Sequence, residues 1–313
     1  MIDVFASPGR FYRGNLHTHS DRSDGRHPPS EVCARYRDAG YDFIALTDHF
    51  LPVFGFPVTD TSLFREAGFT TLLGAEVHAP STALGETWHL LAIGLPSDFA
   101  PLGDDEDAPA LARRCAAAGA YLGIVHPAWY GLTAEDADTI DCAHAVEVYN
   151  HTSALKNDRG DGTVLLDQLL ARGRRLDAFA TDDAHLHIDD SFGAWVMVKA
   201  ESLTPAALLE ALKAGRHYST QGPQIHAIRC DAESITVECS PASAVIALGR
   251  GARHGFVHGD ALCHAQIDVA PFRAGGYFRI VVRDADGRRA WSNPVWLDHG
   301  ALRPQARTIS IVR

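Results

Sequence analysis

Short apolar runs alternate with stretches of helical period over the first two hundred residues or so of the chain. "FYRGNLHTH", "YDFIALTDH", "TTLLGAEVH", "WHLLAIGL", "AYLGIVHP", "AVEVYN" and "LDAFATDDAH" are brief and rich in β-branched or aromatic side chains, which predicts strands. Between them, "PPSEVCARYRDAG" (28–40), "APALARRCAAAG" (108–119) and "GTVLLDQLLARG" (162–173) have the spacing of amphipathic helices, and each closes on a glycine suited to a C-terminal cap. Strand and helix in alternation predict an α/β fold, a parallel sheet covered by helices as in a barrel or a doubly wound domain. After "LTPAALLEALKAGRHYSTQGP" (203–223) the pattern changes. "QIHAIRC", "SITVECS", "SAVIALGRG", "ALCHAQIDVAPF" and "GYFRIVVRDADGRRAWSNPVWL" are alternating runs separated by Gly, Pro, Asp and Ser, which predicts a small all-β, sandwich-like domain without helices. The expected division is 1–222 and 223–313.

Composition narrows the partners. A hydrophobic share of 46% with 21% charged residues fits a folded globular chain rather than a disordered one. The formal net charge of -11 argues against a nucleic-acid polymer or an anionic membrane as the main partner, since both repel a net-negative surface. No apolar run of about 18 residues is present, and "MIDVFASPGR" lacks the basic flank and apolar core of a signal peptide, so a cytoplasmic location is expected. The cysteines at 33, 115, 142, 230, 239 and 263 form no CxxC pair, which points away from a disulfide framework or a thiolate zinc site.

Histidine changes the picture. Of 17 histidines, 12 precede residue 222, and several sit where an apolar run ends. On a strand, residues two apart point the same way, so His17 and His19 in "NLHTHSDRSDG" aim two imidazoles at one point. His49, Glu76, His126 and the Asp183–His185 pair also fall at the C-terminal ends of predicted strands, the end that carries the active site in α/β barrels. Singly, each has an ordinary reading as a hydrogen-bonded structural residue. Jointly, with Asp24 and His89, they supply imidazole nitrogens and carboxylate oxygens for divalent cations, in greater number than one ion can use.

The order HTHSxxSDG, xxLTDH, GAE, an isolated His, HP and DDAH resembles the PHP family, the polymerase and histidinol phosphatase superfamily of metal-dependent phosphoesterases, from about residue 15 to 190. That resemblance implies a distorted (β/α)7 barrel of PHP type holding two to three divalent ions (Mn2+, Fe2+ or Zn2+) at the strand C-termini. It implies that His17, His19, Glu76 and Asp183 hold one ion, that Glu76 bridges to a second held by His89 and His126, and that Asp24, His49 and His185 hold a third. Asp24 stands where some relatives carry histidine. "ALKAGRHYSTQGP" and "AWSNPVWL" look like the carbaryl-hydrolase-like subgroup.

The function so implied is a metal-dependent hydrolase, a phosphoesterase cleaving a small phosphomonoester or phosphodiester by a metal-bridged hydroxide, with Glu76, Asp183 and His151 as its catalytic residues and His151 as the leaving-group acid. Lys156, Arg159 and Arg216 are the expected grips on a small anionic substrate. The alternatives are a carbamate or carboxylic ester hydrolase using the same cluster, and a non-catalytic metal-binding module. His78 is expected to be structural, because the strand is expected to end between it and Glu76. His187 is expected beside the ligands or in solvent. The oligomeric state is left open by the sequence.

Overall fold

The computed structural model describes residues 4–103 and 105–297. In chain order its first strands are β1 (Arg10–Asn15), β2 (Phe43–Leu46), the two-residue β3 (His49–Phe50), β4 (Thr70–Ala79), β5 (Trp88–Ile93), β6 (Tyr121–Ile124), β7 (Ala145–Asn150) and β8 (Asp177–Thr181). β1, β2 and β4 pair in parallel, β5 runs antiparallel to β4 and β6, and β6, β7 and β8 are again parallel. β2 and β6, "FIAL" and "YLGI", are buried along their whole length, as continuous apolar runs covered on both faces must be. Just beyond the strand ends, the last segment returns to the first. Thr18 bridges Ala184 in parallel, His19 N–H donates to Ala184 O at 2.9 Å, and Asp183 N–H donates to His17 O at 3.0 Å. The segments that close the sheet are thus the ones carrying the histidines and aspartates.

The predicted helices are present as α1 (Pro29–Asp38), α2 (Ala108–Ala117) and, after the short α3 (Ala134–Asp138) and α4 (His151–Asn157), α5 (Thr163–Ala171). Gly40, Gly119 and Gly173 follow them at φ of 81°, 92° and 90°, left-handed values that a side chain would disfavour. After β8 come β9 (Trp195–Ala200), α6 (Pro205–Lys213) and β10 (His217–Thr220), then β11 (Ile225–Cys230), β12 (Ser234–Gly249), β13 (His254–Asp268), α7 (Ala270–Arg273), β14 (Tyr277–Arg283), β15 (Arg289–Ser292) and β16 (Val295–Trp296).

This C-terminal part differs from the expectation in three ways. "SITVECS" and "SAVIALGRG" are two halves of one strand, β12, whose register shifts between Glu238 and Ala244; Pro241, which has no N–H to donate, lies at that irregularity. "APF" belongs to the short helix α7. The strands also form no separate hydrogen-bonded sheet: the order β11-β12-β14-β15-β10-β9-β1 runs unbroken into the N-terminal strands. Arg279 of β14 donates twice to Asp167 of α5, both at 2.7 Å, while Asn293 accepts from Ala178 N–H and donates to the carbonyls of Gly215 and His217. The β strands after 222 are therefore packed against the N-terminal part.

Asp177, at the N-terminal end of β8, is half-buried beside Gly215, and desolvation pushes its pKa up to about 7 from 3.8. Between those values the folded chain holds a proton that the unfolded chain gives up, so this group lowers stability as pH rises from about 4 to about 7. Asp177→Asn is expected to raise stability at pH 8 by about 1–2 kcal/mol, the conversion of the shift being discounted for partial exposure and altered hydrogen bonding. The gain should vanish near pH 4. Denaturant melts at both pH values check this, and an equal effect at both would refute it.

Candidate metal centre

The strand ends are fastened by polar residues before any ligand is considered. Asn15, buried at the end of β1, donates from Nδ2 to His17 O and to the Tyr36 hydroxyl, and accepts Asp182 N–H on Oδ1. Asp182 in turn accepts from Tyr36 and from the amides of Phe192, Gly193 and Ala194, and its burial pushes its pKa up to about 6. Asp48, between Thr47 and His49, accepts from Ser20 N–H and from the hydroxyls of Ser20, Ser23 and Thr59. This folds the "SDRSDG" loop back over the strand ends. Gly25 permits the fold-back: a Cβ there would lie 2.6 Å from the His19 backbone. Asp24 is thereby carried to the cluster, and His187 Nε2 donates to its carbonyl at 2.8 Å.

Glu76 is the hub. It is fully buried. Its Oε1 lies 2.7 Å from His89 Nδ1 and 2.9 Å from His126 Nε2, and its Oε2 lies 2.7 Å from His49 Nδ1 and 3.5 Å from Nε2 of both His17 and His19. Asp183 Oδ1 is 2.9 Å from His19 Nε2 and 3.2 Å from His17 Nε2. Asp24 Oδ1 is 3.4 Å from His185 Nε2 and 3.5 Å from His49 Nε2. His185 Nδ1 donates to Asp183 O at 2.8 Å, which fixes the tautomer and leaves the Nε2 lone pair facing Asp24. Four sets of donors each lie within 4.8 Å of one another: His19, Asp24, His49 and His185; His49, Glu76, His78 and His89; His17, His19 and Glu76; and His17, His126 and Asp183. His126 and Asp183 hold left-handed φ of 28° and 56°, unusual for non-glycine residues and found here at two positions of the cluster.

These donors fit divalent cations. Both ring nitrogens of His17 and Oε2 of Glu76 are buried without a hydrogen-bond partner among the described residues, an arrangement costly for polar atoms unless something charged completes it. Without ions the cluster balances itself by protonation. Burial works against charge on Glu76 and Asp183, yet the surrounding histidines outweigh it and hold both well below the usual carboxylate range. Burial likewise opposes charge on His49, but Glu76 and Asp24 lift it to about 10. His19, desolvated and flanked by His185 and His49, falls to about 3.

Sequence reasoning missed Glu147. Buried in β7, it accepts His126 N–H at 2.6 Å and Asn150 Nδ2 at 3.0 Å on Oε2, while Oε1 takes the Thr181 hydroxyl and lies 3.5 Å from His17 Nδ1. A carboxylate behind a ligating imidazole orients the ring and raises its basicity. The signal was a charge inside the apolar run "AVEVYN". Glu147→Gln is expected to weaken metal affinity about 10- to 100-fold, read by metal titration; unchanged affinity would remove the residue from this role. The expected strand end between Glu76 and His78 is corrected: β4 continues to Ala79 because β5 pairs along it, so His78 stays on the face of Glu76 and lies opposite His89.

The other candidates divide. Lys156 lies in the last turn of α4, and Arg159 Nη1 donates to Trp129 O at 3.2 Å, beside the indole that packs 5.4 Å from both His89 and His126. Arg216 is not at this mouth. It precedes β10, which runs parallel to β1 through the antiparallel β9, so it sits at the opposite end of the strands and pairs with Glu210 at 2.8 Å. His151 opens α4, its Nδ1 3.1 Å from the Tyr149 hydroxyl and its ring against Gly193.

Fold and site together define an α/β protein with a histidine–carboxylate centre at its strand C-termini. Residues 15–158 match the family model of the PHP domain. A two-domain protein from Bacteroides vulgatus, described as containing a PHP-like metal-dependent phosphoesterase, shares the fold at a TM-score of 0.54 and 19% identity, over 92% of this chain and 97% of that one. An amidohydrolase from Chromobacterium violaceum, with sulfate bound and no metal, aligns at a TM-score of 0.46 and 16% identity over 65% of this chain and 96% of its own. No curated protein matches the sequence.

Proposed function

We propose that this chain is a metal-dependent hydrolase, and within that class a phosphoesterase acting on a small phosphomonoester or phosphodiester. The observation that carries the reading is the convergence of Glu76, Asp183 and their histidines in one buried cluster, with the exposed Asp24 over His49 and His185 at its mouth. In this reading His17, His19, Glu76 and Asp183 hold one ion, Glu76, His89 and His126 a second, and Asp24, His49 and His185 a third, with manganese, iron or zinc as the metal. Ions so placed supply Lewis acidity and lower the pKa of water toward neutrality. The carboxylates of Asp24, Glu76, Asp183 and Glu147 do not neutralise three divalent ions, and Lys156 and Arg159 add positive charge, so the pocket favours an anion. Trp129, 41% exposed against two ligand rings, offers a flat apolar wall to the group next to the scissile bond. The strand set corresponds to the distorted (β/α)7 barrel, divided at 222 from a β domain that shapes the chain without carrying chemistry. His151 is the residue proposed as the leaving-group acid.

The metal-loaded protein is expected to cleave p-nitrophenyl phosphate with a kcat/KM at least about tenfold above that for a naphthyl ester or carbamate, and to be inhibited by millimolar phosphate. The reverse order without phosphate inhibition would transfer the assignment to a carbamate or carboxylic ester hydrolase, for which the apolar wall of Trp129 is the supporting observation. Bound metal with no turnover on any of these would leave a metal-binding module.

A further inference from the structure

His78 stands outside the ligand set just described. It is 5% exposed, points to the same face as Glu76, and pairs across the strands with His89. Its ring centre lies 4.3 Å from that of His89 and 5.0 Å from that of His49, and its Nε2 is 3.0 Å from His49 Nδ1. With Glu76 it forms, beside His49 and His89, a buried group of three nitrogens and one carboxylate whose donor atoms all lie within 4.8 Å of one another. Donors about 2.0–2.2 Å from a common ion are separated from their neighbours by roughly 3.0–3.5 Å. The separations of 2.7 Å for His49–Glu76, 2.7 Å for His89–Glu76 and 3.0 Å for His49–His78 lie at or a few tenths of an ångström below that range.

In the metal-free chain His49 Nδ1 and His78 Nε2 are at hydrogen-bond distance, 3.0 Å, and the Glu76 carboxylate 2.7 Å from the same Nδ1 competes for its proton. The Nε2 lone pair of His78 thus faces the same buried group of donors as Glu76 and His89, where an ion would use it. We infer that His78 Nε2 is a further metal ligand, of the ion held by Glu76 and His89. The inference rests on the metal-centre reading of the proposed function and adds a ligand to it.

The test uses the full chain purified without chelator, with His78→Ala and His78→Gln beside the wild type and circular dichroism as the check on folding. Metal content, the rate of release to a chelator, and X-ray absorption of the bound metal are measured. The expected results for both variants are release of one ion at least about tenfold faster, or its absence, and a lower imidazole count in the metal's coordination sphere. A hydrogen-bonding role would leave that count unchanged and be rescued by Gln, whose amide replaces the acceptor; either result overturns the inference. If His78→Ala does not fold, His78→Gln alone decides. A wild type without any bound ion would overturn the metal-centre reading and this inference together, whereas wild-type ions with unaffected variants overturn only His78.

Discussion

Glu76→Gln is expected to lower kcat by about a hundred- to a thousandfold or more and to strip at least one ion from each chain, while leaving the fold intact. The substitution changes almost no volume. It removes the one formal charge that faces His17, His19, His49, His89 and His126 together, and an amide offers only one acceptor where the carboxylate presents both oxygens to separate donor groups. No neighbour can replace it, because Asp183 faces His17 and His19 and Asp24 lies over His185 and His49. Turnover on p-nitrophenyl phosphate and metal content by elemental analysis are the measurements. Activity within a few-fold of the wild type, with unchanged metal content, would show that the carboxylate at the centre of the cluster is not a bridge.

Removal of the metals by a strong chelator is expected to abolish activity and lower the thermal midpoint by roughly six degrees, reversibly on adding back manganese, iron or zinc. Ions that bind only the folded chain stabilise it by about 4 kcal/mol at a thousandfold excess over Kd, and each kcal/mol moves the midpoint of a chain of this size by roughly 1.5 °C. The direction with pH follows from the metal-free cluster. His17 is held well above the usual imidazole range, its burial being outweighed by Asp183 and Glu76, and His49 stands at about 10. At neutral pH these rings carry protons that incoming ions must displace, so loading should release protons and weaken as pH falls. Calorimetry in buffers of different ionisation enthalpy measures the release. A midpoint indifferent to chelator would argue against a structural contribution from the ions.

Much of this was legible in the chain because strand period and strand ends are local properties. Apolar alternation located the N-terminal strands, and the glycines at 40, 119 and 173 closed three of the helices where they were expected. His17, His19, His49, Glu76, His126, Asp183 and His185 were identifiable since each follows or ends an apolar run. His78 was not, because where β4 stops depends on how far β5 pairs along it, a property of two segments. Glu147 reads in sequence as one charge in a strand; only the juxtaposition of β7 with His17 and the His126 amide gives it a task.

Arg216 shows the same limit from the other side. Its neighbours "STQGP" are at the centre's end of the molecule, but β10 intervenes, and the length and direction of that strand carry the guanidinium to the far end. The division of β12 into two expected strands failed because Pro241 interrupts the pattern without ending the pairing. The sequence by itself determined which residue types are available and on which face of each strand they lie, since alternation and helical period are written into backbone geometry. Only the tertiary structure decided which of those faces meet, because pairing partners, strand lengths and the closing bridge between Thr18 and Ala184 arise from contacts among residues far apart in the chain.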